Sequence, residues 1–132
     1  MLYFPAMHEL SIAYNVVEIA DAAARSHGAV WVRSVHLRLG ALAGVAEDAL
    51  RFSFPLAAAG TLVEGAALVI EPVAVQAFCE QCAAPQKLDA PFELCCPVCG
   101  QPLFTLLQGR ELQVDTIEIE EAEAESDVAE VA

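Results

Sequence analysis

The chain has 132 residues, with nineteen acidic and six basic side chains, which gives a formal net charge of −13 at pH 7. A chain of this length has room for one modest hydrophobic core and one small additional subdomain. The negative charge argues against nucleic-acid binding through neutralised phosphates, and no apolar run is long enough to span a membrane. We therefore expect partners that are neither nucleic acids nor membranes.

The first predicted element is a helix from His8 to about His27, because apolar residues recur there at three- and four-residue steps. Gly28 suits the left-handed conformation that often ends a helix. The preceding residues, 1–6, lack a basic flank and are too few for the apolar region of a signal peptide. They are expected to form a disordered leader, and Met7 is an alternative first residue of the natural chain.

The next elements alternate between strands and a helix. Residues 31–39 alternate in polarity, which predicts a strand with one solvated face. Residues 46–59 predict a second helix, which Pro55 should kink or divide because proline lacks an N–H. Residues 67–77 are rich in valine and isoleucine and predict a second strand, and residues 111–120 predict a third with a one-residue slip.

All five cysteines lie between Cys79 and Cys99, and four of them form two Cys-x-x-Cys pairs, Cys79/Cys82 and Cys96/Cys99. Two such turns supply four thiolates to one tetrahedral ion, so the spacing predicts a structural zinc site. A closed site of this kind stabilises and does not catalyse. Disulfides are the alternative, but no secretory signal is present and one cysteine would remain unpaired. Cys95 is that spare, because Cys96-Pro-Val-Cys99-Gly matches a zinc-binding turn better.

The order of elements predicts an α/β (α+β) fold, in which two helices cover a small three-stranded mixed sheet and a zinc-ribbon subdomain is inserted. We expect the α/β domain over residues 7–76 and 110–120, and the ribbon over residues 77–109. The tail, residues 121–132, is acidic and rich in alanine, which predicts disorder. Trp31 and the phenylalanines are expected in the core.

Met7, His8 and Glu9 begin the first predicted helix. A histidine in second position can chelate through a terminal amine, its own backbone nitrogen and its imidazole, and such nitrogen donors suit nickel or copper. Glu9 could add an oxygen donor. From the residues alone, a solvated helix end remains the commoner interpretation of a His-Glu pair.

The other histidines have simpler interpretations. His36 lies in a predicted strand and is expected on its solvated face or at a partner contact, whereas His27 is expected near a helix C-terminus. An enzyme would need an open metal position or a nucleophile beside a base, and the sequence suggests neither. We therefore expect a protein with no catalytic residues.

Several segments together carry a family resemblance. They are Met-His-Glu-Leu-Ser-Ile at 7–12, Val-His-Leu-Arg-Leu-Gly at 35–40, Gly-Thr at 60–61, Glu-Gly-Ala at 64–66 with Leu68, the two cysteine pairs, and Gly-Arg-Glu-Leu at 109–112. The chain thereby resembles the HypA/HybF family of hydrogenase nickel-incorporation proteins over roughly residues 7–120. That family combines a small α/β nickel domain with a zinc ribbon.

The resemblance implies a cytoplasmic metallochaperone, monomeric or homodimeric, that carries Ni2+ as transient cargo and holds a structural Zn2+. It would work with a nickel-handling GTPase and deliver nickel to the large subunit of NiFe hydrogenase or its maturation complex, and possible recipients include urease. A zinc-ribbon interaction module without nickel transfer is the alternative.

Carried over to this sequence, the resemblance makes His8 the principal nickel ligand, through its imidazole and backbone nitrogen. Glu9 would be an accessory ligand or a supporting group, and Met7 would add an amine only if translation starts there. Some members place an aspartate ligand after the first strand, where this chain has Ala46. The following Glu47 and Asp48 are interpreted as charges that favour a helix N-terminus.

Overall fold

The computed structural model describes residues 5–88, 94–121 and 126–130. The elements follow in chain order: α1 (Pro5–Ser26), β1 (Ala29–Gly40), α2 (Glu47–Ala58), β2 (Ala67–Val73), β3 (Val75–Cys79), β4 (Ala84–Leu88), β5 (Thr105–Gln108), β6 (Leu112–Glu121) and β7 (Ser126–Glu130). Among the described residues, no helix is both long enough and apolar enough to cross a membrane.

The chain divides into two compact units. The α/β unit comprises Met1–Leu37, Val45–Ile70 and Gln113–Ala132, and the ribbon unit comprises Arg38–Gly44 and Glu71–Leu112. The ribbon unit thus begins earlier than the predicted boundary and also takes in the end of β1. Each unit has its own cluster of buried apolar side chains.

Two sheets organise the fold, with strand orders β2-β1-β6-β7 and β4-β3-β5. The predicted mixed fold of two helices, small sheets and a cysteine-rich subdomain is confirmed. The first sheet nevertheless has four strands where three were expected. The additional strand is β7, which pairs antiparallel with β6 from Thr116↔Glu130 to Glu120↔Ser126.

Both predicted chain ends need correction where the structure describes them. The prediction of disorder is wrong for residues 126–130, because pairing with the edge of β6 gives their backbone groups hydrogen-bond partners. The leader prediction is wrong for Pro5 and Ala6, which form the start of α1. Proline is favoured at the first helical position, where a missing N–H costs nothing. The rest of the two predicted segments, residues 1–4, 122–125 and 131–132, lies outside the described residues.

The core of the α/β unit combines one face of each helix with β1 and β6. Its largest fully buried aliphatic side chains include Leu37, Leu50 and Ile117. Burying a side chain of this size contributes roughly 1.5 to 3 kcal/mol to folding. In β6 the buried residues pass from Val114 to Ile117 and Ile119, as the predicted one-residue slip requires.

Strand β1 departs from the strict alternation that its sequence suggests. Val32 and Val35 are both fully buried, whereas Arg33 between them is exposed, so the inward pattern slips within the strand. Trp31 is 40% exposed for the same reason, and its indole N–H donates to the Glu64 carbonyl at 3.3 Å.

The prediction that the phenylalanines belong to the core is wrong for several of them. Phe54 is buried, but Phe52 and Phe104 are 73% and 91% exposed. Pro55 does not divide α2, which continues to Ala58. Proline lies close to the end of this helix, where few hydrogen bonds depend on it.

In the ribbon unit, β3 lies between β4 and β5 and is antiparallel to both. The short segment after β1 joins this unit through backbone hydrogen bonds: the Gly40 N–H donates to Glu111 O at 2.7 Å, and the Leu42 N–H to Gly109 O at 2.7 Å. A side chain at position 40 would collide with the Gly109 carbonyl. Glycine is therefore required at this crossing.

Replacing Gly40 with alanine is expected to destabilise the ribbon unit by about 3 kcal/mol, because backbone must move to admit the new Cβ. Urea unfolding followed by amide NMR signals of the unit measures the loss. Gly44→Ala is the matched control, since position 44 has a positive φ of 73° but open space around it and should lose only about 1 kcal/mol. Equal losses in the two variants would contradict this account of Gly40.

Candidate metal centres

The four paired cysteines converge in the ribbon unit. Cys79 is the last residue of β3, Cys82 lies in the turn that follows, and Cys96 and Cys99 flank a second turn. Their four Sγ atoms all lie within 4.8 Å of one another. The Sγ atoms of Cys79 and Cys99 are 3.5 Å apart, and those of Cys82 and Cys96 are 3.9 Å apart.

Each turn is shaped by a residue with positive φ directly after its second cysteine. These residues are Ala83, with φ 54°, and Gly100, with φ 77°. In the first turn the Cys82 N–H donates to the Cys79 sulfur at 3.4 Å, and in the second the Gly100 N–H donates to the Cys96 carbonyl at 2.9 Å. The left-handed residue reverses the chain so that both thiols of a pair point the same way.

The donor set fits a tetrahedral zinc ion. Zinc–sulfur bonds of about 2.3 Å place tetrahedral thiolates about 3.8 Å apart, and two of the cross-pair distances, 3.5 Å for Cys79–Cys99 and 3.9 Å for Cys82–Cys96, bracket that value. All five cysteines are free thiols, so the disulfide alternative has no support in the structure. Cys95 is exposed and lies outside the four-sulfur cluster. Its backbone forms an isolated antiparallel β-bridge with Pro102.

The pKa values of the Cys82 and Cys96 thiols are shifted in opposite directions. A hydrogen-bonding contact with the Cys99 thiol, together with burial, raises the pKa of Cys82 to about 12. The backbone N–H of Cys99 lowers the pKa of Cys96 to about 7. Neighbouring thiolates repel one another, so four of them do not coexist at neutral pH without a cation. A dication supplies that charge and favours the deprotonated form.

The predicted nickel residues lie in the first turns of α1. His8 is exposed, whereas Glu9, the next residue, is only 1% exposed. Successive helical residues point about 100° apart, which accounts for this difference. In the chain as printed, the nitrogen of Met7 is a peptide nitrogen within α1.

Glu9 connects the start of α1 to the start of α2. Its Oε2 accepts a hydrogen bond from the Ala46 N–H at 3.2 Å, and its Oε1 has no hydrogen-bond partner among the described residues. Ala46 is the N-cap of α2 and has no side-chain oxygen to cap it. In a capping box, a glutamate within the helix accepts a hydrogen bond from the N–H of the N-cap residue. Here Glu9, which belongs to another helix, accepts that bond from Ala46.

The contact between Glu9 and Ala46 was not foreseen from the sequence. The one available signal was negative, namely an alanine where Ser, Thr, Asp or Asn usually begins a helix. Glu47 lies in the first turn of α2 and forms an exposed pair with Arg51 at 3.1 Å. This placement agrees with its interpretation as a helix N-terminal charge.

The other two histidines, His27 and His36, each lie close to a polar group. His36 on β1 lies 3.5 Å from Glu118 on β6, and both are partly exposed. The Nδ1 atom of His27 lies 2.9 Å from the Ala23 carbonyl at the end of α1. Within the described residues, the four cysteines are the group whose ligand atoms converge closely enough for a metal ion.

Comparison with known proteins gives consistent similarities. A family model described as "Hydrogenase/urease nickel incorporation, metallochaperone, hypA" matches residues 7–119. The hydrogenase maturation factor HypA of Chloroflexus aurantiacus is 51% identical over 112 residues, which cover 85% of this chain and 98% of that protein. The hydrogenase maturation factor HypA of a Roseiflexus species is 46% identical over 115 residues, which cover 87% of this chain and 94% of that protein.

Solved structures share the fold at low sequence identity. The solution structure of the Ni metallochaperone HypA from Helicobacter pylori matches with a TM-score of 0.59 at 20% identity, covering 84% of this chain and 96% of that one. A second solution structure of a HypA protein matches with a TM-score of 0.63 at 22% identity, covering 86% and 96%.

Proposed function

The chain belongs to the HypA family of hydrogenase and urease nickel-incorporation metallochaperones, and we propose that it carries two metal ions. One is a Ni2+ ion at the start of α1, and the other is a structural Zn2+ ion in the four-cysteine centre. The nickel is transient cargo, and the zinc is a resident stabilising ion. The convergence of four thiols within 4.8 Å supports the zinc part of the proposal. The nickel part is supported by the family's role in nickel incorporation, together with the presence of His8 and Glu9 in the first turns of α1.

In the proposed nickel site, His8 is the principal ligand, through its imidazole and backbone nitrogen. Its exposure leaves the ring accessible to an arriving ion. Glu9 offers its second carboxylate oxygen, because a buried oxygen without a partner is costly and gains from a cation. A site with so few donors releases its ion readily, as hand-off requires.

Met7 adds a terminal amine only in a chain that begins there. Such a form gains a nitrogen donor adjoining His8 and should bind nickel more tightly than the form that begins at Met1. The two forms, prepared with either first residue, can be titrated side by side.

In the proposed zinc site, Cys79, Cys82, Cys96 and Cys99 are the ligands. Four thiolates leave no open coordination position, so the ion holds the two turns together and performs no chemistry. None of the five cysteines forms a disulfide, which favours a reducing compartment, and we assign the protein to the cytoplasm on that ground.

The family's role in nickel incorporation supports a delivery function. The protein works with a nickel-handling GTPase and delivers its cargo to the hydrogenase large subunit or its maturation complex. The alternative, an interaction module without nickel transfer, shares the zinc centre and differs only at the start of α1. A measurement of nickel binding therefore distinguishes the metallochaperone from the interaction module.

Replacing His8 with alanine is expected to weaken nickel binding at least about a hundredfold, because the site loses its strongest nitrogen donor. Isothermal titration with Ni2+ on zinc-loaded protein measures the change. The matched controls, His27→Ala and His36→Ala, remove the other two imidazoles and should bind nickel as the parent does. An unchanged nickel affinity in His8→Ala would leave the interaction module as the better account.

A further inference from the structure

The ribbon unit presents one large aromatic side chain almost fully to solvent. Phe104 is 91% exposed, although aromatic side chains contribute most to stability when they are buried. It contributes to the lining of two depressions of the surface. An exposed aromatic that lines two concavities is typical of an anchor for a binding partner.

The larger depression is a cleft of about 270 Å³. Two aromatic rings, Phe78 and Phe104, line it together with amide and hydroxyl side chains, among them Gln81 and Thr105. Among the described residues, Glu80 is the carboxylate that lines the cleft, and none of the lining side chains is basic. The cleft therefore favours a cationic group whose apolar stem contacts the rings.

The smaller depression has a volume of about 70 Å³ and is mainly aliphatic. Leu94, Leu103 and Leu106 contribute to its lining, Arg110 adds one basic side chain, and Phe104 lines both depressions. Its size suits one aliphatic side chain. The two depressions thus offer adjacent places for two side chains of different character.

The strand that follows Phe104 adds a backbone surface. Strand β5, Thr105–Gln108, is the last strand of its sheet and pairs with β3. On its other side it has no strand partner within the residues that the structure describes. Free N–H and C=O groups on an edge strand can pair with an extended peptide.

We infer that this surface, formed by Phe104, the two depressions and the edge of β5, binds an extended peptide of a partner protein that carries lysine or arginine next to an aliphatic residue. The basic side chain lies beside Glu80 and the aliphatic one enters the smaller depression. The net charge of −13 repels an acidic peptide and equally a second copy of this chain. The inference goes beyond nickel binding, because neither His8 nor Glu9 lines this surface.

The test uses the full zinc-loaded chain as bait for a phage-displayed library of random linear peptides, selected in parallel on Phe104→Ala. We expect the parent to enrich peptides with a basic residue beside Leu, Ile or Val, and Phe104→Ala not to enrich them. Enriched peptides, synthesised with a fluorophore, should bind Phe104→Ala at least about tenfold more weakly in fluorescence anisotropy. Glu80→Gln should weaken binding roughly twofold to fivefold, and added salt should reduce binding to the parent.

The controls separate this surface from general stickiness and from the nickel site. Phe52→Ala removes another highly exposed aromatic side chain and should leave peptide binding unchanged, as should His8→Ala. Equal zinc content and amide NMR spectra establish that Phe104→Ala is folded. The inference is overturned by no enrichment on the parent, by enrichment of acidic peptides, by equal binding to Phe104→Ala, or by self-association of the parent that Phe104→Ala abolishes.

Discussion

Replacing Cys96 with serine is expected to release zinc and unfold the ribbon unit, whereas the same replacement at Cys95 should leave both unchanged. Adjacent cysteines with the same side chain thus have opposite expected outcomes. Cys96 is buried with its sulfur 3.9 Å from that of Cys82, and Cys95 is exposed outside the cluster. The pair therefore tests the ligand set within one dipeptide.

The expected effect of Cys96→Ser is large because the ribbon unit has little core of its own. Among the described residues, its buried cluster has six side chains, and two of them are the proposed ligands Cys79 and Cys96. Structural zinc sites contribute on the order of 10 to 16 kcal/mol, which a core this small does not replace. Loss of one thiolate ligand removes most of that contribution. The three remaining cysteines repel one another when they are deprotonated.

Zinc content after dialysis against a mild chelator, with amide NMR dispersion of the ribbon residues, measures the outcome. The parent and Cys95→Ser should retain one zinc ion per chain, and Cys96→Ser should retain none. Zinc retained by Cys96→Ser but lost by Cys95→Ser would reassign the fourth ligand.

The second large effect is expected at Glu9. Replacing Glu9 with alanine should destabilise the α/β unit by about 2 kcal/mol, because the Ala46 N–H loses its side-chain acceptor and a buried side chain is removed. Glu9→Gln should cost less, since the amide oxygen can still accept that hydrogen bond. Both variants should bind nickel more weakly, because neither offers a second carboxylate oxygen.

Thermal unfolding measures the stability of these variants, and nickel titration measures their binding. Glu47→Ala is the control: it removes a carboxylate next to Ala46 that is exposed and pairs only with Arg51. Exposed pairs of this kind contribute about 0.2 to 1 kcal/mol. If Glu9→Gln kept full nickel affinity, Glu9 would be a structural residue alone and its proposed role as a nickel donor would be wrong.

Local patterns in the sequence predicted the features that depend on neighbouring residues. The spacing of the two cysteine pairs indicated one four-thiolate cluster, and the structure brings those four sulfurs together. The three-and-four spacing of apolar residues predicted α1 and α2 to within a few residues. These signals are local because turn geometry and helical periodicity act over a few residues.

Features that depend on distant pairs were not predictable in the same way. The hydrogen bond from the Ala46 N–H to Glu9 joins residues 37 positions apart, and no sequence pattern around either residue predicts it. Strand β7 forms because β6 offers an edge, whereas its own composition suggests disorder. The exposure of Phe104 is likewise not marked by the residues around it in the sequence, since the neighbouring Leu103 is buried.

We propose that sulfur holds a permanent zinc ion and that nitrogen holds an exchangeable nickel ion. Elemental analysis of the full chain, loaded with both metals and then washed with a mild chelator, distinguishes the two ions. We expect one zinc ion per chain to survive the wash, nickel to be lost, and about one equivalent of added Ni2+ to be taken up again. A washed protein that has lost its zinc, or that keeps nickel in the cysteine centre, would contradict this proposal.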